Sequence, residues 1–569
     1  MSLYMSPLLR TVALIFFTFA CGLRLVCGDD TLRFKPKGEH DSTLRFASYY
    51  ADHMVLQKAP QRATVWGYAS ADDIGSYVTV QLISGRDLTV VSTHQATIKA
   101  DIQSGGGVWV VKLTATPPGG PYVVKATVEA QSIEMKDVLF GDVWLCGGQS
   151  NMQFGLEYIF NASEELASAK NYPHIRLFDT KMIASPVPLA DLQAITLQWS
   201  LPSNASLAGG WTYFSAMCWL YGKQLHETLG YPIGLVESCW GGTPVEAWSS
   251  PDALRQCGLK QSDLEKQLTS ESNKRELMKM DPVFGYMGPQ QSSQLWNAMI
   301  HPLLNMTIYG AIWYQGEANG GRPDTYNCTF PSMIDDWRKN FYFGSGFETS
   351  SLFPFGFVQI GPNGPDGSKI IRGFPDIRWH QTADVGYVPN PRMKNVFMAT
   401  AVDDTDFSSP HGPIHPRDKT TISKRLAVAG LTVAYGMDRG QFQGPFPSSY
   451  EISRTQATLT LMYDFNRFKI QQRSSSGFEV CCSRDTVTLC PVDGNWTAAP
   501  VVNVGVTTVQ LSWRACGADT YVMGLRYEWR LTPCAYKKCA IYSVENELPA
   551  PPFIFQRFFG LGDNATNNL

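Results

Sequence analysis

Six short apolar runs recur at long intervals: Val143–Cys146, Ile175–Phe178, Ile233–Val236, Ile308–Trp313, Phe355–Ile360 and Val396–Ala399. A strand covered on both faces has no solvent side to alternate toward, so it reads as a continuous apolar run. Helical patterns accompany these runs, as at Phe214–Leu229 and Thr420–Tyr435. Buried strands interleaved with helices restrict the chain to the α/β class with a parallel sheet. Ligands and reacting groups in such sheets gather beyond the carboxyl ends of the strands. Glycine-rich polar motifs follow several of the six runs directly.

Period-2 alternation frames this region on both sides. Ala63–Gly67, Tyr77–Ile83, Gly107–Leu113 and Tyr122–Val128 alternate between turn-rich pieces such as Pro117–Pro121, the pattern of a β-sandwich. Alternation resumes after Arg439 in Ala457–Met462, Thr486–Leu489, Thr507–Trp513 and Thr520–Met523. The expected organisation is therefore an N-terminal sandwich over 29–135, an α/β domain over 136–440 and a C-terminal β-rich domain over 441–569. A polar stretch at 251–280 reads as a helical excursion from the sheet.

Residues 1–28 have the order of a secretory signal: Arg10, the apolar run Val12–Ala20, then small residues at Gly22 and Gly28. No later run is long enough to span a bilayer, so no stable membrane span is expected after signal cleavage. Six Asn-x-Ser/Thr acceptors, at Asn161, Asn204, Asn305, Asn327, Asn495 and Asn564, fit an exported chain. Of 13 cysteines, eleven lie beyond the signal, and an oxidising compartment pairs most of them while leaving at least one thiol free. Cys481, Cys482, Cys490, Cys516, Cys534 and Cys539 mark a stapled C-terminal module. Zinc-type spacings are missing, so neither a metal nor another cofactor is expected. A formal charge of −3 gives no electrostatic case for nucleic acid.

Four motifs carry chemistry. In Asp142–Met152 an apolar strand runs into Gly147-Gly148 and presents Ser150, whose hydroxyl is a candidate nucleophile and whose N–H is a candidate oxyanion donor. In Glu237–Trp248 a backbone N–H of Gly241 or Gly242 is a second donor. In Ile312–Asn319 the Gln315 carboxamide is a third, because a neutral N–H₂ meets an oxyanion without adding charge. Asn151 and Glu317 are candidate substrate contacts. The fourth motif, Ala401–Asp406 with Gly412–Lys419, holds His415 before Pro416. A helix beginning at Pro416 would put the imidazole at a positive dipole end and keep it a neutral base. The apolar stripe Ile422, Leu426, Ala429 and Val433 supports that helix.

Nucleophile loop, glycine loop, amide loop and histidine in this order resemble the SGNH, or GDSL-type, ester hydrolases. The strings Gly147–Met152, Cys239–Trp248, Trp313–Asn319 and Ile414–Lys419, with Asp52–Gln57 and Val65–Tyr68, are similar to those of the sialate O-acetylesterases. The resemblance implies a parallel-sheet, flavodoxin-like SGNH catalytic domain flanked by β-rich sandwich domains. It also implies hydrolysis of O-acetyl esters of sialic acids, typically at the 9-position, in the lysosome or outside the cell. Ser150 then matches the nucleophile and His415 the base. Many such enzymes carry an aspartate three residues before the histidine, where this chain has Gly412. A backbone carbonyl, Asp403 or Asp404 is left to orient His415, with Asp403 favoured. An anionic sugar calls for a cation, and Arg372, Arg378, Arg417 and Lys419 are the candidates. The rival readings are an acetylesterase for other acetylated glycans and a secreted glycan-binding protein that has lost activity.

Overall fold

One strand of 18 residues, Gln131–Gly148 (β1), joins the two halves of the architecture. The computed structural model describes residues 44–101, 105–259, 288–365, 369–463, 469–517, 519–560 and 567–569. The expected signal at 1–28, Asn564 and most of the 251–280 excursion lie outside the described residues. Of that excursion, Pro251–Gln256 is helical, capped by the Ser250 hydroxyl.

The remaining strands of the central sheet are Ile175–Thr180 (β2), Ile195–Ser200 (β3), Ile233–Cys239 (β4), Gly310–Tyr314 (β5), Phe355–Gln359 (β6) and Val396–Thr400 (β7). Each of the six apolar runs lies within or overlaps one of these strands. Their order is β3-β2-β4-β1-β5-β6-β7. All neighbours are parallel except β3, an antiparallel edge on β2. From β4 to β7 the order is the doubly wound one, in which the chain leaves β1 toward one edge and β5 toward the other. The crevice beyond the carboxyl ends of β1 and β5 is the resulting switch point. Every residue of β4, β5, β6 and β7 is buried, which is why these segments read as apolar without alternation. The architecture is mixed α/β, with one large mixed sheet and several β-rich sheets.

The N-terminal strands do not form a separate body. The first half of β1 pairs antiparallel with Gly119–Val128, while its second half pairs parallel with β4 and β5. The expected boundary at 135/136 thus falls inside one continuous strand, and a single apolar core runs from Leu44 to Leu431. The described residues from 449 to 568 build three further sheets, of five, two and four strands, around their own core, including Leu459, Val480, Leu511 and Phe553. Thr486–Leu489 is not a strand, contrary to its alternation. The Asp485 carboxylate accepts from the N–H groups of Val487 and Thr488 and folds the segment into a turn, with Val487 left exposed.

Five disulfides occur among the described residues: 146–218, 257–328, 481–490, 482–516 and 534–539. Among the described residues Cys239 alone stays a thiol, and it is buried. The pairing fits an oxidising compartment, and among the described residues no helix is long and apolar enough to cross a membrane. Asn161, Asn204 and Asn495 are exposed and Asn305 is half-buried. The Asn327 amide instead donates to Asp384 at 2.7 Å from within a helix, which leaves it a poor glycan acceptor. Cys146 of β1 reaches Cys218 of the helix Ala216–Leu229 and ties the strand that leads to Ser150 to its covering helix. Cys146→Ala with Cys218→Ala is expected to lower stability by about 2–5 kcal/mol, read as the shift in a denaturant midpoint under non-reducing conditions.

Candidate active site

Gly148 closes β1 with φ +137°, and a Cβ there would lie 2.2 Å from the Tyr314 carbonyl oxygen. Only glycine passes so near the neighbouring strand in that conformation. The chain then enters a short helix, Ser150–Gln153 (α1), with Ser150 as its first residue. Ser150 Oγ lies 2.8 Å from His415 Nε2, and the two residues are 2% and 1% exposed. On the far side of the ring, His415 Nδ1 is 2.7 Å from the carbonyl oxygen of His411. A carbonyl only accepts, so Nδ1 carries the proton and Nε2 faces the hydroxyl as the basic nitrogen. Burial pulls the His415 pKa down to about 4, opposed by the bond to His411 and reinforced by the Lys419 and His411 charges.

Two expectations about this histidine are corrected. The helix after it, Lys419–Val433 (α2), begins with Asp418 as its cap and not at Pro416, so burial rather than a helix dipole keeps the ring neutral. Asp403 is held away from it by a buried cation. Arg425 binds both Asp403 oxygens, at 2.6 and 3.0 Å, and the Tyr542 hydroxyl donates to the same carboxylate at 2.9 Å. Of the orienting groups open to sequence reading, the backbone carbonyl is the one placed at Nδ1.

The glycine loop lies against Ser150, with a Cβ built at Gly241 falling 3.3 Å from Ser150 Cβ. The Gly241 N–H donates to Gln153 Oε1 at 2.8 Å. Gly242 follows with φ +70°. Among the described residues, neither its N–H nor that of Ser150, at the first position of α1, has an acceptor.

Gln315 does not offer a free amide. Its Nε2 donates to the Thr243 carbonyl at 3.1 Å and to Asn319 Oδ1 at 2.8 Å, and its Oε1 accepts from the Tyr326 hydroxyl at 2.9 Å. Both amide hydrogens are therefore engaged, and Gln315 stitches the glycine loop to its own loop. Asn151 and Glu317 are as buried as Ser150 and His415. Asn151 Nδ2 donates to Glu317 Oε1 at 2.7 Å and to the Ile414 carbonyl at 3.0 Å, while its Oδ1 accepts from Lys419 Nζ at 2.8 Å. Sequence reading missed Gln149 and Gln153, the polar residues on either side of the Ser-Asn pair. Gln149 Oε1 accepts from the N–H groups of Gly316 and Ala318, so each glutamine pins one of the other loops to α1.

Around the buried pair stand partly exposed aromatic groups. The Trp211 ring is 5.3 Å from that of His415 and 5.8 Å from that of His411, and Tyr158 lies 4.0 Å from His411. The four candidate cations are all engaged. Arg378 is fully buried and donates to carbonyls of Ile360, Gly361, Arg530 and Leu531. Arg417 binds both Asp406 oxygens, Arg372 pairs with Asp324 and Asp376, and Lys419 belongs to the Asn151 network.

The C-terminal module reaches this site. Its loop closed by Cys534–Cys539 grips the loop that carries His415. Thr405 Oγ1 donates to the Cys534 carbonyl at 2.7 Å, the Lys537 N–H to the Asp403 carbonyl at 2.9 Å, and the Tyr536 hydroxyl to Asp418 at 2.6 Å.

Residues 448–557 match the family model described as the sialate O-acetylesterase C-terminal domain. The sialate O-acetylesterase of Mus musculus is 43% identical over 528 residues, covering 90% of this chain and 94% of its own. That of Homo sapiens is 43% identical over 517 residues, covering 90% and 92%. A carbohydrate acetylesterase from Xanthomonas citri superposes with a TM-score of 0.68 at 25% identity, over 90% of this chain and 100% of that one.

Proposed function

The chain belongs to the sialate O-acetylesterase family, and on that basis we propose that it hydrolyses O-acetyl esters of sialic acids, at the 9-position, through an acetyl-Ser150 intermediate. Its catalytic region is read as an SGNH-type domain, a reading supported by the doubly wound strand order and by the loop order nucleophile, glycine, amide, histidine. The observation that carries the mechanism is the 2.8 Å approach of Ser150 Oγ to a buried imidazole whose other nitrogen faces a carbonyl.

In the first step His415 Nε2 takes the hydroxyl proton as Oγ bonds to the acetyl carbon. The N–H groups of Ser150 and Gly242 hold the oxyanion; each such donor is worth about 10²–10³ in turnover. Collapse breaks the bond to the sugar oxygen, which leaves with the proton from His415. Water, deprotonated by the same imidazole, then attacks the acetyl-enzyme and releases acetate. Trp211, Tyr158 and His411 form the wall against which the sugar sits, since aromatic faces pack well on pyranose C–H surfaces. A secretory-pathway location, lysosomal or extracellular, is supported by the five disulfides and by the signal-like first 28 residues.

The test is acetate release from 9-O-acetylated sialic acid beside acetylated xylan, with fluorophosphonate labelling and mass mapping in parallel. The expected result is label on Ser150 and strong preference for the sialate. Preference for xylan would move the assignment to other acetylated glycans, and an unlabelled Ser150 would remove the enzyme reading.

A further inference from the structure

Ser150 and His415 are 265 residues apart in sequence and share no covalent constraint, so something must fix their separation. We propose that Lys419 is a positioning residue for the deacetylation, holding the nucleophile and the base in register by bonding to the immediate neighbour of each. The inference rests on the reading of Ser150 and His415 given above.

Lys419 is fully buried. Its Nζ donates to Asn151 Oδ1 at 2.8 Å, one residue after the nucleophile, and to the Pro416 carbonyl at 2.6 Å, one residue after the base. Asn151 completes the closure by donating to the carbonyl of Ile414, one residue before the base. Both flanks of His415 are therefore tied to the residue beside Ser150. Asn151 also reaches Glu317 at 2.7 Å, which brings the third loop into the same knot.

A neutral side chain of equal length would not replace the ammonium. Glu317 Oε2 and both Asp404 oxygens are buried without a hydrogen-bond partner among the described residues, and Lys419 is the cation that faces both acids. Asp406 and Asp418 face it from its own loop, His415 feels its charge, and the rings of Phe154 and Tyr314 lie 4.8 and 5.6 Å away. Burial lowers the Lys419 pKa from the ordinary lysine range and raises that of Asp404. The ammonium is therefore open to deprotonation at moderately alkaline pH, and the clamp loosens when it titrates.

The experiment measures turnover of an aryl acetate and the fluorophosphonate labelling rate of Ser150, for the full chain and for Lys419→Met. The expected result for the variant is a kcat lower by about 10²-fold, the loss associated with misplacement on the ångström scale, with KM within about twofold and label still on Ser150. A lysine that only supported folding would not produce such a split. The intact chain supplies the second readout: its labelling rate is expected to fall on the alkaline side, and the variant to lack that limb. Label at an unchanged rate in Lys419→Met overturns the clamp and leaves the nucleophile assignment standing. No label on Ser150 in the intact chain removes both. Should the variant not fold, the alkaline profile of the intact chain decides, and a flat one overturns the proposal.

Discussion

Ser150→Ala is expected to lower acetate release by about 10⁶-fold, the scale on which loss of a serine nucleophile removes a whole catalytic unit rather than one contact. The residual activity comes from the backbone donors and from binding, which do not need the hydroxyl. Stability should barely move. Truncation removes a hydroxyl and one hydrogen bond to His415 at 2.8 Å, worth about 1 kcal/mol net, and it leaves no cavity larger than one oxygen atom. Acetate release and the thermal midpoint, measured on the same preparation, separate the two effects. A variant that keeps activity within tenfold of the parent while remaining folded would show that Ser150 is not the nucleophile.

The sheet was readable because burial on both faces writes itself into composition. Val143–Cys146, Ile233–Val236 and Phe355–Ile360 fall within or overlap parallel strands, and the motifs after Gly148 and Tyr314 fall at the carboxyl edge where the strand order reverses. The shared strand was not readable. Nothing in the composition of Gln131–Gly148 shows that its first half pairs backward into the N-terminal strands and its second half forward into the central sheet, because pairing partners are non-local.

The same limit governs the site. Ser150 and His415 were singled out because four motifs occur in the order of a known ester-hydrolase family, and the two side chains lie 2.8 Å apart. Asp403 and Gln315 were misassigned because their hydrogen-bond capacity is used by residues that no local pattern connects to them. Arg425 sits 22 residues after Asp403 and Tyr542 another 117 residues on. For Gln315, Thr243 lies 72 residues earlier. A side chain with the right functional group is a donor only if its hydrogens are unclaimed, and a sequence does not show who claims them. Conversely, the bracing by Gln149 and Gln153 has no local signature, and Lys419, picked out only as a cation for an anionic sugar, instead bonds to Asn151 and the Pro416 carbonyl.

His415→Ala is expected to match the Ser150→Ala loss, and the double variant to be no worse than either alone, because a nucleophile without its base is already idle. The sharper prediction concerns pH. Burial brings the His415 pKa down to about 4, against an ordinary value of about 6.5 for an exposed imidazole. Only the neutral ring can accept the Ser150 proton, so kcat/KM should rise with pH through about 4 and be level from there to neutrality. The same shift acts on stability in a fixed direction. An unfolded chain takes up the proton near pH 6.5 while the folded chain refuses it until about 4, so this contribution is complete above the higher value and lost across the interval as pH falls. Its size is about 3 kcal/mol, from the roughly 1.4 kcal/mol carried by each unit. Unfolding midpoints followed from neutral to acid pH should therefore fall less steeply in His415→Ala than in the parent. An activity profile breaking near 6.5 in the parent would mean that the imidazole is solvated, and that its approach to Ser150 does not take place inside a dry site.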